Sequence, residues 1–177
     1  MKKSVILKGR ALVIRNEKTE PIDDIDTDMI FHNRYLHITD INEMGQYAFD
    51  NLEGWKDFPK KAKKGDILVL GANFGSGSSR QQAVDCFSAL GVQLLIAKSY
   101  GAIYKRNAIN AGMPILQSDV IDEIKYIENE DEIEVNLETG LIRNLTKNIE
   151  YKAMGMSNVQ IDIYHSGNLF EYAKNLK

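Results

Sequence analysis

"GDILVLGANFGSGSSRQQAVDCFSALGVQLLIAKS", residues 65–99, sets a loop rich in glycine and serine between two apolar runs. Ile67 to Leu70 is a continuous apolar run, the pattern of a strand buried on both faces. After the loop, "SRQQAVDCFSALG" reads as a helix closed by Gly91, a residue suited to the left-handed turn that ends helices. "VQLLIAKS" then reads as a second buried strand. Downstream, "YKRNAINAG" from Tyr104 reads as a short helix ended by Gly112, and "MPILQ" as a third strand. Strand, helix and strand twice in succession predict parallel pairing with right-handed crossovers.

The flanks read differently. "SVILKGRALVIR", residues 4–15, predicts two short strands around a glycine turn. "PIDDIDTDMIFHNRYL" predicts a loop passing into an irregular strand or short helix. "DINEMGQYAFDNLEG" has apolar residues at helical spacing, with Asp40 suited to cap the first turn. Beyond Asp119 the character changes: "DEIEVNLETGLIRNLTKNIEYKAM" alternates apolar and polar residues across turns at Thr139–Gly140 and around Thr146–Lys147, a β-meander pattern. "SGNLFEYAKNLK" reads as an amphipathic terminal helix. The expected fold is α/β: one domain over residues 1–177, with a parallel βαβ centre and a β-meander towards the C-terminus.

Composition narrows the function. With 177 residues, 44% of them hydrophobic, the chain is large enough to bury a core without disulfide staples. A formal charge of −3 argues against a nucleic-acid binder, and Lys60, Lys61, Lys63 and Lys64 read as a solvated turn. No apolar run is long enough to cross a bilayer. The start "MKKSVILKGRALVIRNE" lacks the marks of a signal peptide, so a cytoplasmic location is expected. A single cysteine, Cys86, excludes an internal disulfide, and also a cysteine-ligated cluster or structural zinc made by this chain alone.

A glycine-rich turn between strand and helix presents free backbone N–H groups and a helix N-terminus to an anion. Gly71, Gly75 and Gly77 do not have the G-x-G-x-x-G spacing of a dinucleotide site, and the second strand ends in Lys98 and Ser99 rather than an acidic residue. A Walker loop is excluded because no Gly-Lys-Ser/Thr follows. The loop offers Ser78, Ser79 and Arg80 instead. Arginine's planar fork matches a carboxylate bidentately, and adjacent hydroxyls orient or deprotonate what is bound. A serine acts as a base only where its alkoxide is stabilised, as backbone N–H groups and a helix dipole would do.

With "AKSYGAIYKRNAINAGMPIL" downstream and "DDIDTDMIFHNRYL" upstream, "GANFGSGSSRQQA" resembles the small-subunit family of 3-isopropylmalate dehydratase. That family is similar to the C-terminal swivelling domain of aconitase. The three motifs stand in the family's order, and the resemblance covers roughly residues 5 to 170. It implies a swivelling β/β/α domain of a hydro-lyase that moves a hydroxyl between adjacent carbons of a 2- or 3-hydroxy acid through an unsaturated intermediate. It implies no cofactor in this chain and a [4Fe-4S] cluster in a partner large subunit, with a small hydroxy-di- or tricarboxylate as substrate. By motif position Ser78 would be the base, Ser79 and Arg80 would bind the carboxylate, and Asn73, Gly75 and Gly77 would shape the loop backbone. The family commonly has an acidic residue and then a histidine where Gln81 and Gln82 stand, which leaves the orientation of Arg80 open. Ala102 replaces a residue that is usually charged.

In this family the loop after Tyr35–Leu36 contacts the variable end of the substrate, which makes His37 and Ile38 candidate substrate-binding residues. An apolar lining suits isopropylmalate and an arginine suits a tricarboxylate; His37 with Ile38, beside Tyr35, inclines towards the former. Homoaconitate, citrate or a methylated malate stand as alternative substrates, and a non-catalytic carboxylate- or RNA-binding module as a third reading. Asp24, Asp26 and Asp28 lack the later glutamate of a calcium loop and read as turn-forming residues. No metal site is expected. His165 reads as solvated and Cys86 as a core thiol, while Lys105, Arg106 and Asn107 face the cleft or cap strand ends.

Overall fold

The computed structural model describes residues 2–118 and 126–176. Its first strand, β1 (Ile6–Val13), is one element rather than the two short strands predicted. Gly9 makes no turn: a Cβ there would lie 2.2 Å from the Gly65 carbonyl oxygen, so close approach of two backbones requires the glycine. The length of β1 serves two neighbours. Ala11 to Val13 pair in parallel with Ile67 to Val69, and Ile6 to Arg10 pair antiparallel with Asn136 to Glu132.

Three very short helices follow: α1 (Thr27–Ile30), α2 (Ile41–Met44) and α3 (Phe58–Lys61). Asp40 caps α2 as predicted, accepting from the Asn42 N–H at 2.9 Å. The helical run from Asp40 nevertheless stops early. The Phe49 N–H donates to the Ile30 carbonyl at 2.8 Å, and Phe49 turns into the left-handed region at φ +60.

The centre matches the sequence reading. β2 (Ile67–Leu70), α4 (Gln82–Ala89), β3 (Leu94–Ala97), α5 (Ala102–Asn110) and β4 (Ile115–Gln117) alternate, with β2, β3 and β4 paired in parallel. The meander is present as β5 (Glu132–Asn136), β6 (Leu141–Asn144) and β7 (Ile149–Lys152). Together the strands form one seven-stranded sheet in the order β4-β3-β2-β1-β5-β6-β7. Alternate residues of β2 and β3 serve two cores. Leu68, Leu70, Leu95 and Ala97 pack under α4 and α5, while Ile67, Val69, Leu94 and Ile96 face a cluster containing Ile133, Val135 and Ile142. Each Leu, Ile or Val among them contributes about 1.5–3 kcal/mol by leaving water.

Two helices close the chain, α6 (Asn158–Ser166) and α7 (Leu169–Lys174). The sequence reading gave only the second. The first has a reciprocal capping box between Ser157 and Gln160, a signal present in "SNVQ". His165, read as solvated, is half-buried on α6 with its ring 5.6 Å from that of Tyr164.

Cys86 is fully buried on α4, and burial pushes its thiol pKa well above the ordinary value. The native protein is therefore expected not to react with a disulfide probe such as DTNB, and to release one equivalent of thiol once unfolded. Rapid labelling of the native chain would contradict this placement.

Candidate active site

The residues after Leu70 are held as a fixed loop by one buried ring. Phe74 is fully buried, with its ring edge-on to Tyr104 at 5.2 Å. The Phe74 N–H donates to the Ser99 carbonyl at 3.0 Å, and its own carbonyl accepts from Gly101 at 2.9 Å. At Gly75, φ +74, a Cβ would sit 2.2 Å from the Tyr104 ring, so the loop passes α5 at a distance only glycine permits. Asn73 adopts φ +54, donates from Nδ2 to Asp24 at 2.9 Å, and offers its N–H to Ser99 Oγ at 2.7 Å. Gly77 has φ +100.

This frame leaves Ser78 and Ser79 exposed. They do not cap α4, which begins at Gln82; its N-cap Gln81 makes no side-chain cap, and neither does Gly101 at the start of α5. Two helix N-termini without side-chain caps thus adjoin the same loop, each with orphan N–H groups and the positive end of a dipole. Ser78 Oγ lies 3.2 Å from the Thr27 hydroxyl, and Thr27 is buried with its N–H bonded to the Ser76 carbonyl at 2.9 Å. Asn107 Nδ2, on α5, reaches Ser79 Oγ at 3.5 Å. Lys105 lies 3.5 Å from Gln117 Oε1, and Arg106 is exposed.

The orientation of Arg80, open in the sequence, is set from the α1 segment. Nη1 donates to Asp28 Oδ1 at 2.9 Å, to the Phe31 carbonyl at 2.7 Å and to the Thr27 carbonyl at 3.3 Å. The side chain is 11% exposed. Among the described residues, no partner takes Nε or Nη2, so one bidentate edge of the guanidinium is open. Burial resists ionisation of Asp28, but hydrogen bonds from Arg80 and the Asn33 N–H outweigh it and hold the carboxyl below its ordinary pKa. Gln81 turns away and donates to Asp85 at 3.0 Å. The carboxylate partner that sequence reasoning sought next to Arg80 is Asp28, 52 residues earlier.

Next to this lies the segment of His37 and Ile38. His37 is exposed, with Nδ1 3.0 Å from the Arg34 carbonyl oxygen. Ile38 is 7% exposed and packs in the core under α4, its N–H bonded to the Tyr35 carbonyl at 2.9 Å. Of the other two aspartates, Asp26 caps α1 through the Met29 N–H at 2.8 Å, and Asp24 accepts from Asn73 Nδ2 in the loop. Thr27 and the pairing of Asp28 with Arg80 were not read from sequence. The available signal was the missing acidic residue after Arg80, which leaves the "DDIDTD" cluster as a source of the partner.

Among the described residues, no group of three or more His, Cys, Asp or Glu side chains is placed to hold a metal ion. Cys86, buried in the core, does not fit a cluster ligand. No described helix is long and apolar enough to cross a membrane.

The seven-stranded mixed sheet, with the glycine- and serine-rich loop between β2 and α4, defines an α/β class of module. Residues 14–120 match the aconitase C-terminal domain family. The 3-isopropylmalate dehydratase small subunit of Caldicellulosiruptor saccharolyticus is 42% identical over 92% of this chain and 92% of its own. That of Aquifex aeolicus is 44% identical over 86% and 89%. The crystal structure of 3-isopropylmalate dehydratase (LeuD) from Methanocaldococcus jannaschii superimposes with a TM-score of 0.84 at 35% identity, covering 97% of this chain and 95% of that one. The chain belongs to the aconitase C-terminal domain family, among the 3-isopropylmalate dehydratase small subunits.

Proposed function

We propose that this chain, acting as one unit, is the small subunit of a cytoplasmic hydro-lyase of leucine biosynthesis that isomerises 3-isopropylmalate by dehydration and rehydration. The observation that carries the reading is Arg80: Nη1 is fully engaged by Asp28 and two carbonyls, while its other edge stands open beside two exposed serines. A planar, pre-oriented fork in that setting suits a carboxylate.

In the proposed chemistry Arg80 and Ser79 bind the carboxylate, and Ser78 Oγ removes the proton from the carbon beside it. The electron pair of the broken C–H bond forms the double bond as the hydroxyl leaves the neighbouring carbon; rehydration with the hydroxyl on the other carbon completes the isomerisation. A proton beside a carboxylate is weakly acidic, so the charge that develops needs fixed positive partners. Arg80, the loop N–H groups and the start of α4 supply them, and the Thr27 hydroxyl is within reach to donate to a Ser78 alkoxide. His37 would line the space for the substrate's alkyl end, with Ile38 anchoring that loop from below.

The departing hydroxyl needs a Lewis acid, which a four-iron cluster in a partner large subunit would supply. The purified chain alone is accordingly expected to be colourless and inactive, with turnover of 3-isopropylmalate appearing on anaerobic mixing with an iron–sulfur large subunit. Turnover by the iron-free chain alone would overturn the division of labour. Preference of the mixed enzyme for homocitrate over 3-isopropylmalate would overturn the substrate.

A further inference from the structure

Two adjacent residues outside the loop reach two different parts of the site. Asp50 Oδ2 accepts from Arg34 Nη2 at 2.5 Å and from the Tyr35 hydroxyl at 2.7 Å. Asn51 Nδ2 donates to Asp28 Oδ2 at 3.1 Å, and Asp28 holds Arg80 through its other oxygen. Asp50 therefore grips the segment that carries His37, while Asn51 grips the carboxylate that aims Arg80.

We propose that Asp50 and Asn51 are positioning residues, a bracket that fixes the segment 32–38 at a set distance from Arg80. This rests on the function proposed above and adds what sets the spacing between the carboxylate end and the alkyl end of the substrate.

Three further observations bear on the bracket. First, the Asp50 contact is more than a surface ion pair, whose contribution would be small. The ring of Tyr35 stacks on Tyr47 at 4.1 Å, the Arg34 guanidinium lies 4.8 Å over the Tyr35 ring, and Phe31 meets Tyr35 edge-on at 6.0 Å. The Tyr35 and Arg34 bonds hold the Asp50 carboxyl below its ordinary pKa despite partial burial, so it remains charged at neutral pH. Second, Phe31 connects the two arms: its ring touches Tyr35 and its carbonyl accepts from Arg80. Third, the backbone is bent to make the bracket. Phe49, fully buried and bulky, sits at φ +60, a region such residues rarely occupy unless the surroundings over-determine it. The turn there places the side chains of Asp50 and Asn51 against Tyr35 and Asp28.

Two readouts separate the bracket from the chemistry. In the isolated chain, Asp50→Ala is expected to speed amide hydrogen exchange at residues 32–38 at least tenfold, with exchange in β2 and β3 unchanged. In the enzyme mixed with its large subunit, Asp50→Ala is expected to raise KM for 3-isopropylmalate about tenfold with kcat within threefold. Asn51→Ala, acting through Asp28, is expected to lower kcat more than it raises KM. Should Asp50→Ala not fold, Arg34→Gln and Tyr35→Phe each remove one arm from the opposite side and are expected to give smaller shifts of the same kind. Unchanged exchange at 32–38, exchange accelerated throughout the chain, or unchanged KM in an active complex would each overturn the bracket. A wild-type complex inactive on every hydroxy acid tried, with loop exchange still accelerated by Asp50→Ala, would overturn the proposed function and support the bracket.

Discussion

Ser78→Ala is expected to abolish turnover in the reconstituted enzyme while leaving substrate affinity within a few-fold of wild type. Removal of a positioned base lowers kcat by about 10²–10⁴. The side chain is exposed on a loop whose shape is set by Phe74 and Gly75, not by the Ser78 hydroxyl, so the substitution should not disturb the fold. Its hydrogen bond to Thr27 spans 3.2 Å between two hydroxyls, a modest interaction whose loss should barely move the melting temperature. Measuring kcat and binding affinity on the same preparation separates the roles. A variant that turns over at the wild-type rate would return the serine to a purely structural part in the loop.

Arg80→Lys, which keeps the charge, is expected to cost nearly as much. The wild-type side chain is held by three acceptors on one nitrogen and presents its remaining edge as a fork. A lysine ammonium cannot both satisfy Asp28 and the carbonyls and hold a carboxylate through two parallel bonds. The loss of transition-state binding should be about 2–4 kcal/mol, or 30- to 1,000-fold in kcat/KM. Asp28 would keep a cationic partner, so stability should change little by comparison. Steady-state kcat/KM for 3-isopropylmalate, set beside thermal unfolding of the isolated variant, checks both statements. An Arg80→Lys enzyme within threefold of wild type would mean that the open edge does not bind substrate.

The parallel centre was legible in the sequence because its strands are buried on both faces, so Ile67–Leu70 and the run around Leu94–Ala97 are apolar without interruption. The meander was legible for the opposite reason: one face is solvated and the alternation survives. Gly9 misled because glycine means a turn in one context and a close backbone approach in another. Only the position of Gly65, 56 residues away, distinguishes the two, and no local pattern carries it. The helix before the terminal one carries a local signal of its own, the capping box of Ser157 and Gln160.

The candidate site divides in the same way. Ser78, Ser79 and Arg80 are contiguous, and a local motif can announce contiguous residues. Thr27, Asp28, Asp50 and Asn51 reach the same region from other segments, joined by hydrogen bonds across tens of residues. Ile38 has two aspects. Its apolar character suggested a pocket lining, and the structure places it in the core, where the same character anchors the loop that carries His37. A residue's chemistry was readable; the side of the loop on which it lies was not.

The most direct test of the account follows formation of the unsaturated acid on anaerobic mixing of this chain, an iron–sulfur large subunit and saturating 3-isopropylmalate. The wild-type chain is expected to produce it at the rate of overall turnover. The Ser78→Ala chain is expected to bind the same substrate and form it at no more than about one hundredth of that rate, as loss of a general base requires. Equal rates of formation with the two chains would contradict the assignment of Ser78 as the base.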